Sequence, residues 1–379
     1  MSSQKKNEVL KISPTKMSHK FEISPGTQIC DLIVGKKIGF GSFGAIYPCV
    51  DSRTGILWAM KTESLRTKHK TLEFEYQVLS ELQTSPYFPR IGIFGKNKIM
   101  SFFTMECMGP SLSTLLHSTA NKRFTLSTSI RASYHILKCI ESLHQLGFIH
   151  RDIKPSNIVT REGIEHPICL IDFGLSHVFV NPETGQHLRP RLRAGFRGTR
   201  VYSSINGHRL QDLSRRDDVI SWFYFAYELI VGELPWYRVS QKYQFIQEKE
   251  KFSEKMIKTP PIPELGQIWE HISKLEFLDI PNYTQIYHLL MEILRQRSDK
   301  EIDIYEPFDW AECLKKNRQA TAEELKELKS NNTKHAIDHV MEKDYGNDLI
   351  DHHLISPQIT APAPFSQASD KNDCCCFIS

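Results

Sequence analysis

The strongest chemical signal in the chain is the octapeptide His150-Arg-Asp-Ile-Lys-Pro-Ser-Asn157, which fits H-R-D-x-x-x-x-N in full. A carboxylate placed like Asp152 can orient a hydroxyl group and accept its proton. Asn157 offers an amide oxygen to a divalent cation, and Lys154 offers positive charge to a phosphoryl oxygen. Leu170-Ile-Asp-Phe-Gly174 follows, with apolar neighbours that suggest a short strand delivering Asp172 to the same cation. Upstream, Gly39-Phe-Gly41-Ser-Phe-Gly44 fits G-x-G-x-x-G, and Trp58-Ala-Met-Lys61 supplies a lysine for phosphate oxygens. Glycine N–H groups, a lysine, two cation ligands and a carboxylate are what transfer of a phosphoryl group to a hydroxyl needs. That reaction is mostly positioning and charge neutralisation.

These residues need elements to position them. A dinucleotide fold would require a strand before the glycines and a helix after them. Here Ala-Ile-Tyr-Pro-Cys-Val follows, and Pro48 argues against an early helix. The glycines are therefore expected at the tip of a β-hairpin; alone, they would be equally consistent with a plain turn. Asp51–Gly55 reads as a turn between strands Ala45–Val50 and Ile56–Lys61. Lys61 needs a carboxylate to hold it. The helix expected over Thr71–Leu82 offers Glu75, preferred over Glu73 because it leaves Val78 and Leu79 facing the core. The alternative is that Lys61 and Glu75 are solvated surface charges. Leu126–Leu146 carries Ile130, Ile136, Leu137, Ile140 and Leu143 at helical spacing, and Val219–Val231 is apolar nearly all round, as in a central helix.

The outline is α+β: a small β-rich lobe, then a large α-helical lobe. Residues 1–30 are polar and carry two Ser-Pro steps, which suggests a disordered arm. A folded unit over 31–317 is expected, divided near 106 and 107. A short helix opening at Thr321-Ala-Glu-Glu324 and a disordered tail fill 318–379. With 40% hydrophobic residues the chain can bury a large core, and a net charge of +4 does not by itself call for nucleic acid. Cys30, Cys49, Cys107, Cys139, Cys169 and Cys313 form no C-x-x-C pair, which argues against zinc. The N-terminus has no signal-peptide core, and no apolar run is long enough to span a membrane. A reducing, cytoplasmic setting follows as an expectation.

Taken together, these motifs resemble the eukaryotic protein kinase superfamily, from about Cys30 to about Asn317. The resemblance implies the bilobal kinase fold, ATP and Mg²⁺, and protein substrates. Lys154 matches the Ser/Thr kinases. Ser204-Ile-Asn206, where most kinases carry Ala-Pro-Glu, is similar to the casein kinase 1 group, as are Met105–Leu112 and Ser214–Asp218. Glu233–Trp236 and His271–Leu278 look close to the tau-tubulin kinase branch. The resemblance gives Asp152, Lys154, Lys61, Glu75 and Thr199 catalytic duties, with Thr199 bridging Asp152 and Lys154. Asn157 and Asp172 would hold the metal. Ile38, Gly39, Gly41, Ser42, Gly44, Ile46, Ala59, Lys61, Met105, Glu106 and Met108 would line the nucleotide, Met105 guarding the adenine pocket beside a hinge at 106–108. Asp218 would brace the catalytic loop.

One departure bears on specificity. Casein kinase 1 enzymes usually carry Gly-Thr-Ala-Arg-Tyr, whose arginine helps bind a phosphate on the substrate. Here Val201 takes that place and Arg200 stands one residue earlier. Arg189, Arg191, Arg193, Arg197, Arg200, Arg215 and Arg216 nonetheless crowd the region, which favours acidic or phosphorylated substrates, read chiefly through Arg197 and Arg200. The alternatives are a solvated basic loop or arginines paired internally. Thr184 and Thr199 are the only hydroxyl side chains between His177 and Tyr202, so activity without an upstream kinase is expected. Cys376-Phe-Ile-Ser379 fits C-a-a-X. Prenylation of Cys376 with acylation of Cys374 or Cys375 would give membrane association. The competing readings are an inactive kinase-like scaffold and a membrane-tethered interaction module.

Overall fold

The computed structural model describes residues 22–40, 44–67, 70–119, 121–162, 165–192, 194–297, 306–316 and 323. Gly41, Ser42, Arg193, Thr321 and the cysteines 374–376 lie outside the described residues.

The first lobe is an antiparallel sheet of β1 (Gln28–Ile29), β2 (Leu32–Val34), β3 (Gly39–Phe40), β4 (Ala45–Asp51), β5 (Leu57–Ser64), β6 (Ile91–Lys96) and β7 (Met100–Glu106). Its order is β1-β2-β4-β5-β7-β6, with β3 pairing β4 beyond the end of β2. The sheet begins inside the stretch expected as an arm: Gln28 pairs with Ile33, and Ile23 is buried. Pro48 sits inside β4, where a missing N–H would ordinarily break a ladder. Its carbonyl accepts from Gly35, in the gap between β2 and β3, so its N faces the place where no strand continues. Gly39 lies on a hairpin, since β3 pairs with β4 as Gly39↔Ile46 and Phe40↔Ala45, and Gly44 directly precedes β4. Gly44 is required by close approach: a Cβ there would stand 1.6 Å from the Thr62 carbonyl oxygen of β5.

Helix α1 (Leu72–Glu81) packs on β5, β6 and β7. Buried Glu63 on β5 accepts from the N–H of Thr71, the residue that opens α1, and so ties helix to sheet. The second lobe contains α2 (Leu112–Ser118), α3 (Leu126–Gln145), β8 (Phe148–Ile149), β9 (Ile158–Thr160), β10 (Ile168–Leu170), β11 (His177–Val178), α4 (Ile205–His208), α5 (Arg215–Val231), α6 (Lys242–Lys258), α7 (Pro263–Ser273) and α8 (Tyr283–Arg297). Its centre is α5, which buries Trp222, Phe223, Tyr224, Phe225 and Leu229 on all sides against α3 and α7. Trp222 donates its indole N–H to the Ser133 carbonyl of α3, which satisfies the one polar atom of the buried ring. No helix among the described residues is long and apolar enough to cross a membrane.

Candidate active site

Two short ribbons place the chemistry. In one, β9 pairs with β10 as Ile158↔Leu170. That register sets Asn157 opposite Ile171, whose N–H donates to the Asn157 carbonyl, and so brings Asn157 beside Asp172. In the other, β8 pairs with β11 as Ile149↔His177, which lays the loop 150–152 along Leu175 and Ser176. Arg151 donates from Nε to the Leu175 carbonyl at 2.6 Å and from Nη2 to the Ser176 carbonyl at 3.1 Å.

Asp152 is buried, and each of its oxygens has a partner. Lys154 Nζ donates to its Oδ2 at 2.6 Å, and the Thr199 hydroxyl donates to its Oδ1 at 2.7 Å. Lys154 Nζ also reaches Thr199 Oγ1 at 3.1 Å, which closes a triangle. Thr199 can arrive there because Gly198 precedes it. Gly198 has φ +85°, and a Cβ would meet the Arg151 carbonyl oxygen at 2.4 Å. Asn157 Nδ2 donates to the Asp152 carbonyl at 2.9 Å, which leaves its Oδ1 as the atom able to ligate a cation.

Behind this loop stands Asp218, at the start of α5. It accepts from the N–H of His150 at 2.6 Å, the N–H of Arg151 at 2.8 Å and His144 Nε2 at 3.0 Å. Burial opposes its ionisation, but these donors outweigh it and hold its carboxyl below the usual range. The bracing duty expected of Asp218 therefore has a concrete form. Arg151 needs it, because its φ of +68° is a conformation that costs a non-glycine residue energy.

In the other lobe, Lys61 Nζ lies 2.7 and 2.6 Å from the two oxygens of Glu75, and 3.1 Å from Asp172 Oδ1. Glu75 is buried on α1 whereas Glu73 is exposed, so the register preferred from sequence is the one adopted. Burial works against charge on Lys61, but two carboxylates around one ammonium win and hold its pKa above the ordinary value. Asp172 is likewise held low: burial opposes ionisation, and the charge of Lys61 outweighs it. Asp172 adopts φ +70° and ψ +69°, a left-handed turn that aims the side chain back at Lys61. Phe173 next to it is wholly buried, edge-on to Phe88 at 5.7 Å and to His150 at 5.2 Å.

Four more of the expected residues lie on β4, β5 and β7 of the first lobe or just before β3. Ala59 pairs with Met105 across β5 and β7, and both are buried. Ile46 is half-buried, while Ile38 is 61% exposed, an apolar side chain that a flat apolar ligand would cover. The side chain of Glu106 is turned to Arg161. Arg161 grips it with Nε at 3.0 Å and Nη2 at 2.7 Å, and Arg161 also donates to the carbonyls of Pro86 and Phe88. Nothing in the sequence pointed to Arg161. Asp217 was missed too: its Oδ1 accepts from Ser204 Oγ at 2.6 Å and Asn206 Nδ2 at 2.9 Å, and its Oδ2 from the N–H of Ser214. The Ser-Ile-Asn segment is thus pinned to the start of α5; two adjacent acids in Ser214–Asp218 were the only hint.

The arginine cluster is smaller than expected. Arg191 is neutralised by Asp212, with bonds of 3.0 and 2.6 Å. Arg215 lies over the Phe179 ring and donates to the Leu278 carbonyl, and Arg216 donates to the Leu275 carbonyl beside Asp217 and Glu276. Arg189, Arg197 and Arg200 stay exposed. Val201 packs against the core, so the one-residue shift does turn the arginine outward.

The family description "Protein kinase domain" matches residues 32–344. The chain belongs to the protein kinase family. It is 35% identical over 280 residues to a probable serine/threonine-protein kinase of Dictyostelium discoideum, a match covering 73% of the chain and 56% of the relative. It is 32% identical over 270 residues to casein kinase I homolog 2 of Saccharomyces cerevisiae, covering 69% and 49%. A further 30% identity over 286 residues joins it to casein kinase I homolog RAG8 of Kluyveromyces lactis, covering 73% and 53%. These relatives support the casein kinase 1 group. The chain spans about half the length of the curated relatives it matches.

The family uses ATP and Mg²⁺, and the residues present fit both. Mg²⁺ favours hard oxygen ligands, is commonly held by one or two carboxylates, and keeps waters and substrate phosphates for the rest. Asp172 and Asn157 Oδ1 are such a sparse oxygen set. Among the described residues there is no group of three or more His, Cys, Asp or Glu that would form a closed metal cage.

Proposed function

We propose that the protein transfers the γ-phosphoryl group of ATP to serine or threonine hydroxyls of protein substrates. The observation that carries this reading is the contact of one ammonium, Lys61, with both Glu75 and Asp172 while Phe173 is buried beneath. A lysine–glutamate pair and a metal-binding aspartate must be in place together for phosphoryl transfer in this family. In this reading Lys61 holds phosphate oxygens of the nucleotide. Bound Mg²⁺, held by Asp172 and Asn157, would neutralise charge on the phosphates. Asp152 receives the acceptor hydroxyl through one oxygen, while Lys154 and Thr199 fix the plane of its carboxylate. Ile38, Ile46, Ala59 and Met105 cover the adenine.

Activity without an upstream kinase is part of the proposal. Thr199 has its hydroxyl committed inside the site, and the guanidinium of Arg151 is already bonded to two carbonyls. For substrates, exposed Arg189, Arg197 and Arg200 support a preference for acidic or phosphorylated sequences, narrower than seven arginines would suggest. A peptide array indifferent to Asp, Glu and phosphoserine would remove that preference. The casein kinase 1 relatives and the placement of the cysteines support a cytoplasmic setting, and the tau-tubulin likeness rests on the sequence motifs.

The test is transfer from labelled ATP and Mg²⁺ to casein by the wild type beside Asp152→Asn. Transfer by the wild type alone is expected. No transfer by either, with ATP binding retained, would favour the scaffold.

A further inference from the structure

Lys249, in the middle of α6, is wholly buried. The sequence around it, Gln-Glu-Lys-Glu-Lys, reads as a solvated helix face, and neither the catalytic nor the nucleotide residues touch it. Its Nζ lies among three aromatic rings, 4.8 Å from the centre of Tyr224, 5.0 Å from Trp236 and 5.7 Å from Phe245. Among the described residues no carboxylate pairs with it. Instead Nζ donates to the Ser203 carbonyl and, at 3.1 Å, to the Arg200 carbonyl, with His208 Nε2 at 3.3 Å.

Those carbonyls belong to the segment directly after Thr199. The segment is tied from below at almost every oxygen. The Thr199 carbonyl accepts from the N–H groups of Tyr202 and Ser203. The Arg200 carbonyl takes His208 Nε2 as well as Lys249, and the Val201 carbonyl takes the Trp236 indole N–H at 2.8 Å. Tyr202 donates its hydroxyl to Glu228 at 2.7 Å. A substrate hydroxyl held at Asp152 must bring its flanking residues past this segment, because Thr199 is bonded to Asp152 itself. The upper side of the segment is what remains for them: the Arg200 side chain points outward and Val201 packs inward.

We propose that Lys249, assisted by Trp236, is a positioning residue for the protein substrate: by capping the carbonyls of residues 200–203 from beneath, it sets the floor over which the acceptor segment lies. This rests on the kinase reading and gives that site its substrate-side support. Burying an ammonium is costly, and burial pushes the Lys249 pKa well down, whereas the aromatic faces and carbonyls favour the charged form. Either protonation state supplies the two N–H groups that the carbonyls of Arg200 and Ser203 need. A merely stabilising residue here could have been apolar, since the cage is aromatic. The amine is explained by the two carbonyls it serves.

The experiment compares wild type, Lys249→Met and Trp236→Phe. The first removes the N–H groups and keeps a long apolar chain in the cage. The second removes one N–H and keeps a ring. Each is assayed for KM of an acceptor peptide, KM of ATP, and ATP hydrolysis without peptide. Lys249→Met is expected to raise the peptide KM by about tenfold and Trp236→Phe by about threefold, the scale of a lost hydrogen bond. ATP KM and peptide-independent hydrolysis stay near wild type in both. A folded Lys249→Met with unchanged peptide KM overturns the proposal, as does an equal rise in ATP KM. Should Lys249→Met fail to fold, Trp236→Phe decides between the same two outcomes by the same split. Absence of peptide transfer in the wild type would instead overturn the kinase reading, so the two failures are distinct.

Discussion

Replacing Thr199 with valine keeps the branched shape and removes one oxygen. The hydroxyl donates to Asp152 Oδ1 at 2.7 Å and accepts from Lys154 Nζ at 3.1 Å. A hydrogen bond to a charged group is worth about 1.5–3 kcal/mol. If Asp152 must keep its orientation through the transition state, that loss lowers kcat by about 10- to 150-fold, at about 1.4 kcal/mol per factor of ten. Thr199→Ser retains the oxygen and should stay within about threefold of wild type, because only a methyl group is lost. Thr199→Asp puts a second carboxylate against Asp152 and should abolish transfer, the opposite of an activating phosphate mimic. The assay is initial-rate transfer to casein at saturating ATP, with ATP KM measured in parallel and expected to hold steady, since Thr199 makes no bond to Lys61 or Asp172. A Thr199→Val protein with kcat within about twofold of wild type would refute the positioning role of the hydroxyl.

Three further outcomes are expected. Arg161→Ala breaks the grip on Glu106 and on the carbonyls of Pro86 and Phe88; it should cost about 1–2 kcal/mol of stability, read by urea unfolding, and raise ATP KM, because Glu106 adjoins the adenine mouth. Asp217→Ala leaves Ser204, Asn206 and the N–H of Ser214 without their acceptor; it should cost about 3–5 kcal/mol, seen as a lowered denaturant midpoint. Stability should fall as pH drops from about 6.5 towards about 4. Burial pushes His135, His177 and His208 down to about 4, with Arg131 and Lys138 near the first, Arg151 and Arg191 near the second, and Lys249 near the third. The unfolded chain therefore binds more protons in that window, so acidification favours unfolding. A melting temperature unchanged between pH 7 and pH 5 would contradict this.

The legible part of the site was the part where chemistry dictates residue type. In the proposed reaction Asp152, Asn157, Asp172 and Lys61 each have a task no neighbouring residue type can do, so their spacing is written in the chain. Glu75 could be separated from Glu73 because helical periodicity leaves only one of them facing inward. Strands β4 and β5 and helices α1, α3 and α5 were readable too, the strands from two apolar runs around a turn, α1 and α3 from a helical period, and α5 from an apolar run on every face, whereas α6, α7 and α8 were not singled out. Lys249 and Arg161 were not readable, because their partners are backbone carbonyls or residues far along the chain; Asp217 has near partners, but two adjacent acids gave no sign of which one faces Ser204 and Asn206. A charged residue on a polar stretch looks the same whether it faces water or a carbonyl. The same ambiguity inflated the basic cluster: Arg191 gives no local sign that Asp212 will neutralise it.

The bonds that pin Ser204 and Asn206 to Asp217 also bear on the order in which the molecule assembles. They join residues 13 and 11 positions apart. The Thr199–Asp152 bond spans 47 positions and the Lys61–Asp172 bond spans 111. Closing a loop costs more entropy as it lengthens, and short loops close fastest. The far end of the loop that carries Thr199 can therefore be moored to α5 before the lobes have met. What remains for late folding is to bring Asp152 under Thr199 and Lys61 over Asp172. By loop length alone the Ser204–Asn206 mooring closes first, the Trp236, Lys249 and Asp152 bonds of the neighbouring segment follow over 35–49 positions, and the Lys61–Asp172 contact closes last.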